Sequence, residues 1–503
     1  MKKVLYTLIL LAVIFTSCKK NKVDGGDLSG GQGTSNASAL DLLKDSVYAY
    51  AREEYLWYDA LPDASVFNPR KYTGSSDGAA LQAEIDAFTQ LKKNPSTSQA
   101  YEYDASYPGT AKYSYIDEGQ AATSIGGTGG DLGFYVFYQT SADLRVKYVL
   151  PGSPASTAGL VRGYKITAIN DNSSLAYTSN SDPVLTFVGN ALAANSIKLT
   201  LQRPDNTTFT TTVTKATYTI NPVMKFNTIT TISGKKVGYF AFKQFTTKAN
   251  AETKIDEAFN SFIANGVTEL VVDLRYNGGG AVETSEYLAN YIVPTAKSGT
   301  SMYTQNYNNK LQGGLYPLLA KKYSIPSGYF SLANNTFNFA KVGTLNLSRV
   351  FFLVTGNTAS ASELLINNLN PVMNVQIIGQ TSYGKPVGFF KIPVGKYDLY
   401  ISEFESRNSA GKADFYQGMV PGGNFLGALA NDDFTKDFGD PAEGMLAKAI
   451  NYIEKGNYTV ASLRTASLNT TEQNLVKEAN HVLEVKQHEF KGTVRTKDLS
   501  LQH

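Results

Sequence analysis

The feature that most constrains the fold is a pair of largely apolar runs in the C-terminal half of the chain, at residues 350–354 and 375–379. Such runs, followed by small or turn-forming residues, are typical of buried strands in layered α/β folds. Ser360 follows the first run and Lys385 follows the second. Active sites of these folds lie beyond the carboxyl ends of the strands, so the pattern places a hydroxyl and an amine where an active site is expected.

The chain has few histidine and cysteine residues that could take part in other kinds of nucleophilic catalysis. The three histidines are His481, His488 and His503, all near the C-terminus, and the only cysteine is Cys18. A Ser-His-Asp triad, a Cys-His pair or a Cys/His zinc cluster would therefore need the tail to fold back onto the core. For a hydrolase with a covalent intermediate, a serine with a lysine base is the arrangement that is left.

A lysine acts as a base only when it is neutral, which requires burial in an apolar pocket. Apolar side chains follow Lys385 and could form such walls: Val387, Phe389, Phe390 and Ile392. On these two residues alone the alternative stays open that Lys385 is a surface lysine and Ser360 a helix N-cap.

The N-terminus has the pattern of a secretory signal over residues 1–17, with two lysines and then a short apolar stretch. The run from Phe15 to Cys18 resembles a bacterial lipobox, which implies cleavage before Cys18 and lipidation of its thiol; a plain signal peptide is the alternative. Residues 18–36 are rich in glycine and serine and predict a flexible tether. Loss of Lys2 and Lys3 leaves a net charge of about +1, so no affinity for nucleic acid is predicted.

The rest of the chain divides by pattern into four parts. Residues 37–125 are mainly helical by periodicity, with the aromatic cluster around Trp57 expected in the core. Residues 126–216 alternate as a small β-rich module, and residues 217–453 alternate strands and helices as an α/β core. Residues 454–503 are polar and mixed, and we expect a loosely held tail there.

Three segments of the β-rich module resemble a PDZ domain of the bacterial protease type. They are Leu132-Gly133-Phe134, the turn and short helix at 150–160, and the alternating strand at 165–170. The resemblance implies that Leu132, Gly133 and Phe134 form the loop that holds a C-terminal carboxylate, with the peptide adding as a strand. Tyr164 departs from the pattern, since many members carry aspartate there. A purely structural role for the module is the alternative.

Three further motifs, in this order and spacing, resemble the C-terminal processing peptidases of family S41. They are the Asp-Leu-Arg-x-Asn-x-Gly-Gly run at 273–280, the Thr-Ala-Ser-Ala-Ser-Glu run at 358–363, and Gly384-Lys385. The resemblance covers about residues 131–450. It implies that Ser360 is the nucleophile, that Lys385 is the general base, and that the N–H groups of Ala361 and of Gly279 or Gly280 form the oxyanion hole.

One position departs from the family pattern. Members often carry a glutamine four residues after the lysine, which is thought to orient the amine, and this chain has Phe389 there. Either another group, such as Thr381 or Ser382, orients Lys385, or the apolar wall does so. Glu363, three residues after the serine, could cap the following helix or orient its neighbours, and is interpreted as a structural residue.

The sequence thus predicts a multidomain α/β protein with a helical N-terminal segment and a PDZ-like domain, and the family resemblance implies a peptidase core similar to the crotonase and ClpP type. The implied function is a serine endopeptidase of the cell envelope, lipid-anchored and sorted to the outer membrane, acting on proteins or peptides with free C-termini. No metal or organic cofactor and no nucleic acid is implied. The alternatives are a non-catalytic peptide-binding lipoprotein on the same scaffold and an interaction protein in which the PDZ-like part dominates.

Overall fold

The computed structural model describes residues 37–460, 470–486 and 492–495. The predicted signal peptide, the tether and Cys18 lie outside these residues. Within the described residues, no helix has both the length and the apolar character needed to cross a membrane.

The N-terminal part is helical and is joined to the rest of the chain by short strands. Ser38 caps the first helix by accepting from the N–H of Asp41, whose carboxylate accepts from Ser38 in return. Trp57 is buried, as expected, and stacks on Tyr101 with ring centroids 4.4 Å apart. The elements are α1 Ala39–Glu54, α2 Ala64–Phe67, α3 Asp77–Thr89, β1 Tyr115–Asp117, α4 Gln120–Ile125 and β2 Thr128–Gly129.

The next part is a five-stranded sheet in the order β3-β4-β5-β6-β7, with all neighbouring strands antiparallel. Its apolar side chains form a core of their own against α6, as in an independent module. The elements are β3 Phe134–Thr140, β4 Asp143–Val149, α5 Pro154–Thr157, β5 Lys165–Ile169, α6 Pro183–Ala193, β6 Ser196–Gln202, β7 Thr208–Thr214 and β8 Tyr218–Thr219.

The remaining chain builds the α/β core. Its elements are β9 Val223–Thr230, β10 Lys236–Phe242, α7 Lys248–Ala264, β11 Glu269–Asp273, β12 Gly279–Ala281, α8 Val282–Ile292, β13 Ser301–Tyr307, α9 Asn309–Gln312, α10 Pro317–Lys322, β14 Thr336–Asn338, β15 Arg349–Val354, α11 Ala361–Leu369, β16 Asn374–Gly379, β17 Val387–Gly388, β18 Ile392–Val394, β19 Tyr397–Tyr400, β20 Phe404–Asn408, β21 Gly427–Leu429, α12 Gly444–Lys455, α13 Thr470–Lys486 and β22 Gly492–Val494.

The central sheet has six strands in the order β21-β16-β15-β11-β10-β9, parallel except for the β9–β10 pair. The two apolar runs singled out in the sequence are β15 and β16. Alternate side chains of β15 enter different cores: Phe352 packs with α7, α8 and α11, whereas Phe351 packs with α12. Burial on both faces explains why these strands are apolar throughout.

Residues 470–486 and 492–495 pack onto the rest of the chain, although the composition of this region is polar. Ala479 and Leu483, one turn apart on α13, are buried in the core of the five-stranded sheet. Further on, β22 pairs with β12 in parallel. The structure therefore corrects the expectation of a loosely held tail for residues 470–486 and 492–495, because two apolar residues at helical spacing suffice to dock a helix.

A buried charge network joins the five-stranded sheet to the core. The guanidinium of Arg275, 1% exposed, contacts Asp273, Glu443 and Asp432. Arg162, from the five-stranded sheet module, reaches the same Asp432 at 2.7 Å. Burial opposes ionisation of Asp432, but Arg162 and Arg275 outweigh it and lower its pKa to about 2. Because these charges are paired and desolvated together, the network fixes the module against the carboxyl ends of the central strands.

Candidate active site

Ser360 occupies a sharp turn between β15 and α11. Its backbone has φ 62° and ψ −110°, a conformation that costs a non-glycine residue about 1–3 kcal/mol. The turn is held to the β11 end of the sheet, where the N–H of Ala359 donates to the carbonyl of Asn277 at 3.0 Å. A strained strand-to-helix turn is how several hydrolases present a nucleophilic serine, at the positive end of a helix dipole.

The Glu363 carboxylate ties the serine turn to the lysine loop. Its Oε2 accepts the N–H of Ser360 and the N–H of Lys385, each at 2.8 Å. Because both amides bond to the same oxygen atom, the distance between their nitrogen atoms is at most the sum of the two hydrogen-bond lengths. Its Oε1 accepts the N–H of Gly384 at 2.6 Å and the hydroxyl of Ser382. Burial raises the pKa of Glu363, and these four bonds act against that rise by favouring the charged form.

Lys385 is 1% exposed and lies among aromatic rings. Its Nζ is 3.9 Å from the ring centroid of Phe389 and 5.6 Å from that of Tyr113, and it donates to the Tyr113 carbonyl at 3.4 Å. Ser382, one of the groups considered for orienting the amine, instead donates to Glu363 and accepts from the N–H of Met419. The amine is therefore contacted by the Phe389 and Tyr113 rings and by the Tyr113 carbonyl.

Burial lowers the pKa of Lys385 to about 7, although Glu102, Glu363 and Glu403 favour its charged form. The Glu102 carboxylate is itself satisfied, since it accepts from the hydroxyl of Tyr55 at 3.0 Å and from the hydroxyl and the N–H of Ser114. Near neutral pH a substantial fraction of Lys385 is therefore neutral and able to accept a proton.

The glycine turn that is predicted to supply an oxyanion donor forms β12, which leads into α8 and lies close in space to the first residue of α11. Gly279 and Gly280 have φ of 104° and 133°, which favours glycine. The N–H of Gly279 donates to the side chain of Asn277 at 2.9 Å. A Cβ on Gly279 would lie 3.0 Å from the backbone nitrogen of Ala361, so the strand passes close to the first residue of α11. Of the two glycines, Gly280 is the one with its N–H toward β22, as the parallel pairing requires.

The predicted carboxylate-binding loop lies at the start of β3, away from these residues in sequence. Leu132 and Phe134 are buried in the core of the five-stranded sheet, and the N–H of Gly133 donates to the carboxylate of Asp131 at 3.0 Å. The edge of β3 is met by α13: the Asn480 side chain accepts the N–H of Tyr138 at 2.6 Å and donates to its carbonyl at 2.9 Å. The chain's own helix thus takes hydrogen-bonding positions that an added peptide strand would use.

Two residues of the site make contacts that the sequence did not predict. Glu363 caps α11 by accepting from the N–H of Ser360, as its spacing allows, but it also accepts from the N–H of Lys385, a contact that the spacing does not indicate. Asn277 holds three segments through its side chain and carbonyl, with bonds to Phe242, Gly279 and Ala359. Nothing in the sequence near Asn277 marks those partners.

Comparison with known proteins gives matches in the same region. Residues 236–408 match the sequence profile of peptidase family S41. A carboxyl-terminal-processing protease of Picosynechococcus is 28% identical over 258 residues, covering 50% of this chain and 53% of that protein. A carboxy-terminal processing protease of Bacillus subtilis is 24% identical over 54% of this chain and 48% of its own length. The chain thus spans about half the length of these relatives.

The fold also has a counterpart among solved structures. A crystal structure from Bacteroides fragilis, named as a candidate S41 protease, superposes with a TM-score of 0.56 at 23% identity. The match covers 84% of this chain and 99% of that one, and at this identity it establishes a shared fold only. The profile match of residues 236–408 and the shared fold thus show a similarity of the α/β core to peptidases of family S41.

Proposed function

We propose that the protein is a serine endopeptidase that works through a Ser360–Lys385 dyad. The observation that carries the proposal is the carboxylate of Glu363, which accepts from the amides of both residues and so holds a strained serine beside a buried lysine. S41 relatives support peptidase activity in general. To this general activity the proposal adds the Ser360–Lys385 dyad and the peptide substrate.

In the proposed reaction, Ser360 Oγ attacks a peptide carbonyl carbon while its proton passes to neutral Lys385. The N–H groups of Gly280 and Ala361 stabilise the negative charge that develops on the oxygen, aided by the N-terminus of α11. The lysine then protonates the leaving amine, and the C–N bond breaks to give an acyl-enzyme. A water molecule, deprotonated by Lys385, hydrolyses the ester and restores the serine.

The five-stranded sheet module is proposed as a PDZ-like site that binds substrate C-termini near Leu132, Gly133 and Phe134. Because Asn480 of α13 contacts the edge of β3, a peptide strand could be added only after α13 moves.

The rival function is a peptide-binding lipoprotein without catalysis. The Phe389 ring favours it, since a ring face 3.9 Å from Nζ stabilises the ammonium form, which cannot act as a base.

Cleavage assays separate the two functions. We expect full-length protein to cut an unstructured protein with an apolar C-terminus, and both Ser360→Ala and Lys385→Ala to lose at least about 1,000-fold in rate, since members of such a catalytic unit are not independent. Lys396→Ala is the matched control, because that lysine is solvent-exposed and is expected to leave the rate unchanged. Products are read by mass spectrometry. If none of the folded proteins cleaves, the free protein is not an active peptidase, and either the binding function or an enzyme held inactive until a partner releases it takes its place.

The pH dependence tests the role of Lys385. Its lowered pKa, about 7, means that the neutral base forms as pH rises through that value, so kcat/KM should rise with pH and level off above it. We expect an acidic limb with a midpoint near 7 for cleavage of a small fluorogenic peptide. A midpoint near the usual pKa of lysine would show that the amine is not desolvated, and it would count against Lys385 as the general base.

Glu363→Gln tests the link between the two loops. The amide keeps the size of the carboxylate but turns one acceptor oxygen, which faces two donors, into an NH₂ group. Each donor left unsatisfied costs about 1–3 kcal/mol. We expect a lower Tm and a kcat at least about tenfold lower with little change in KM, whereas the exposed control Glu257→Gln changes neither. Unchanged kinetics would show that Glu363 does not position the dyad.

We also propose, from residues 1–36 alone, that the protein is lipid-anchored at Cys18 in the cell envelope, at the outer membrane. Cys18→Ser removes the thiol to which the lipid would be attached. The wild type is expected in the detergent phase of a Triton X-114 partition and the variant in the aqueous phase. Equal partitioning of both would indicate a plain signal peptide.

A further inference from the structure

The chain's own segment 492–495 lies as a strand between the glycine turn that forms β12 and the loop that carries Lys385 and Phe389. On one side β22 pairs in parallel with β12, and the N–H of Gly492 donates to the carbonyl of Gly278 at 2.9 Å. On the other side Val494 pairs with Phe389, whose carbonyl accepts the N–H of Arg495 at 3.0 Å. The segment therefore has backbone partners on both edges, which is how an extended peptide is held by β-augmentation.

The Gly492 carbonyl lies where the proposed reaction needs a substrate carbonyl. In a parallel pair this carbonyl faces the N–H of Gly280. A Cβ on Gly279 would lie 2.5 Å from the Gly492 oxygen and 3.0 Å from the nitrogen of Ala361, so the oxygen is close to the start of α11. Gly492 thus marks the acyl side of a bound peptide, and the next three residues mark the leaving side.

The side chains that follow occupy two different environments. Val494 is 6% exposed and packs in an apolar cluster that includes Ala281 and Phe389. Arg495 instead enters a polar cluster. Its Nη1 donates to the hydroxyl of Tyr307 at 2.8 Å and to Asn335 Oδ1 at 2.9 Å, with Gln305 Oε1 at 3.4 Å.

The surroundings of this cluster suit a guanidinium group. The Tyr329 ring lies 4.9 Å from the guanidinium carbon of Arg495, at cation–π distance. Glu286 accepts from the Tyr303 hydroxyl at 2.6 Å; burial raises the pKa of Glu286 to about 7, and the charge of Arg495 opposes that rise. Oxygen acceptors, a ring face and a nearby carboxyl are what a planar cation with several donors requires.

We propose that Gln305, Tyr307, Tyr329 and Asn335 form a subsite for a basic side chain of the substrate, three residues beyond the one whose carbonyl faces Gly280. In the resting chain Arg495 fills this subsite, so segment 492–495 competes with peptide substrates. The inference rests on the proposed peptidase site and adds to it a substrate class: peptides with a small residue, then an apolar and a basic residue two and three positions later.

The test measures binding, so it does not depend on whether Ser360 cleaves anything. The full chain carrying Ser360→Ala and Arg495→Ala is titrated against fluorescein-Gly-Thr-Val-Arg-amide, and anisotropy is recorded. The same peptide with alanine in place of arginine is the control ligand. Hydrogen bonds to a charged group predict at least about tenfold tighter binding of the arginine peptide. The chain with Ser360→Ala alone should bind the peptide at least about tenfold more weakly, because its own Arg495 competes.

Two further variants keep the test decisive. Tyr307→Phe, added to the double variant, removes one acceptor and should reduce the preference for arginine several-fold, whereas Tyr316→Phe should leave it unchanged. If Arg495→Ala lowers Tm so far that binding cannot be measured, Val494→Asp takes its place, since a charge in the apolar cluster also releases the segment. Equal binding of both peptides, or equal binding by chains with and without Arg495, would overturn the proposal. Tight binding without cleavage by Ser360-containing protein would support the subsite and count against the peptidase.

Discussion

The candidate site depends on one buried carboxylate. Glu363 accepts four hydrogen bonds, from the backbone of Ser360, Gly384 and Lys385 and from the Ser382 hydroxyl. A carboxylate buried without donors would cost several kcal/mol, so the two loops that follow β15 and β16 can separate only at that cost. The same bonds help to hold Ser360 in its strained turn. Strand ends alone would place the serine and the lysine near each other, and Glu363 fixes them.

Two effects oppose each other at Lys385, and their magnitudes decide the outcome. Lowering its pKa from 10.5 to about 7 corresponds to about 5 kcal/mol against the ammonium form. The Phe389 ring favours the ammonium form by about 0.5–2 kcal/mol. Desolvation is therefore the larger effect. Phe389 both excludes water and moderates the shift, which gives this aromatic residue a physical role at a position where a hydrogen-bonding side chain was expected.

The sequence predicted those parts of the fold in which one residue type repeats locally. The apolar runs predicted β15 and β16, and the helical periodicity of residues 37–125 predicted helices such as α1 and α3. It could not predict contacts between distant residues, such as Arg162 with Asp432 or Asn480 with Tyr138, since the partners are hundreds of residues apart. The docked C-terminal elements were missed for the same reason. The partners of Ala479 and Leu483 in α13, and of Val494 and Arg495 at β22, lie about 100 or more residues away in the sequence.

Residues 470–486 and 492–495 meet the rest of the chain at two edges where a peptide strand could be added, the edge of β3 through Asn480 and the edge of β12 through β22. A segment of the same chain competes at an effective concentration on the order of millimolar, so a free peptide must bind far more tightly than the segment does or arrive when it has left. The Arg162–Asp432–Arg275 network holds the five-stranded sheet against the core, so both edges keep a fixed separation. A peptide strand at the edge of β12 must therefore displace segment 492–495, whereas one at the edge of β3 must displace α13.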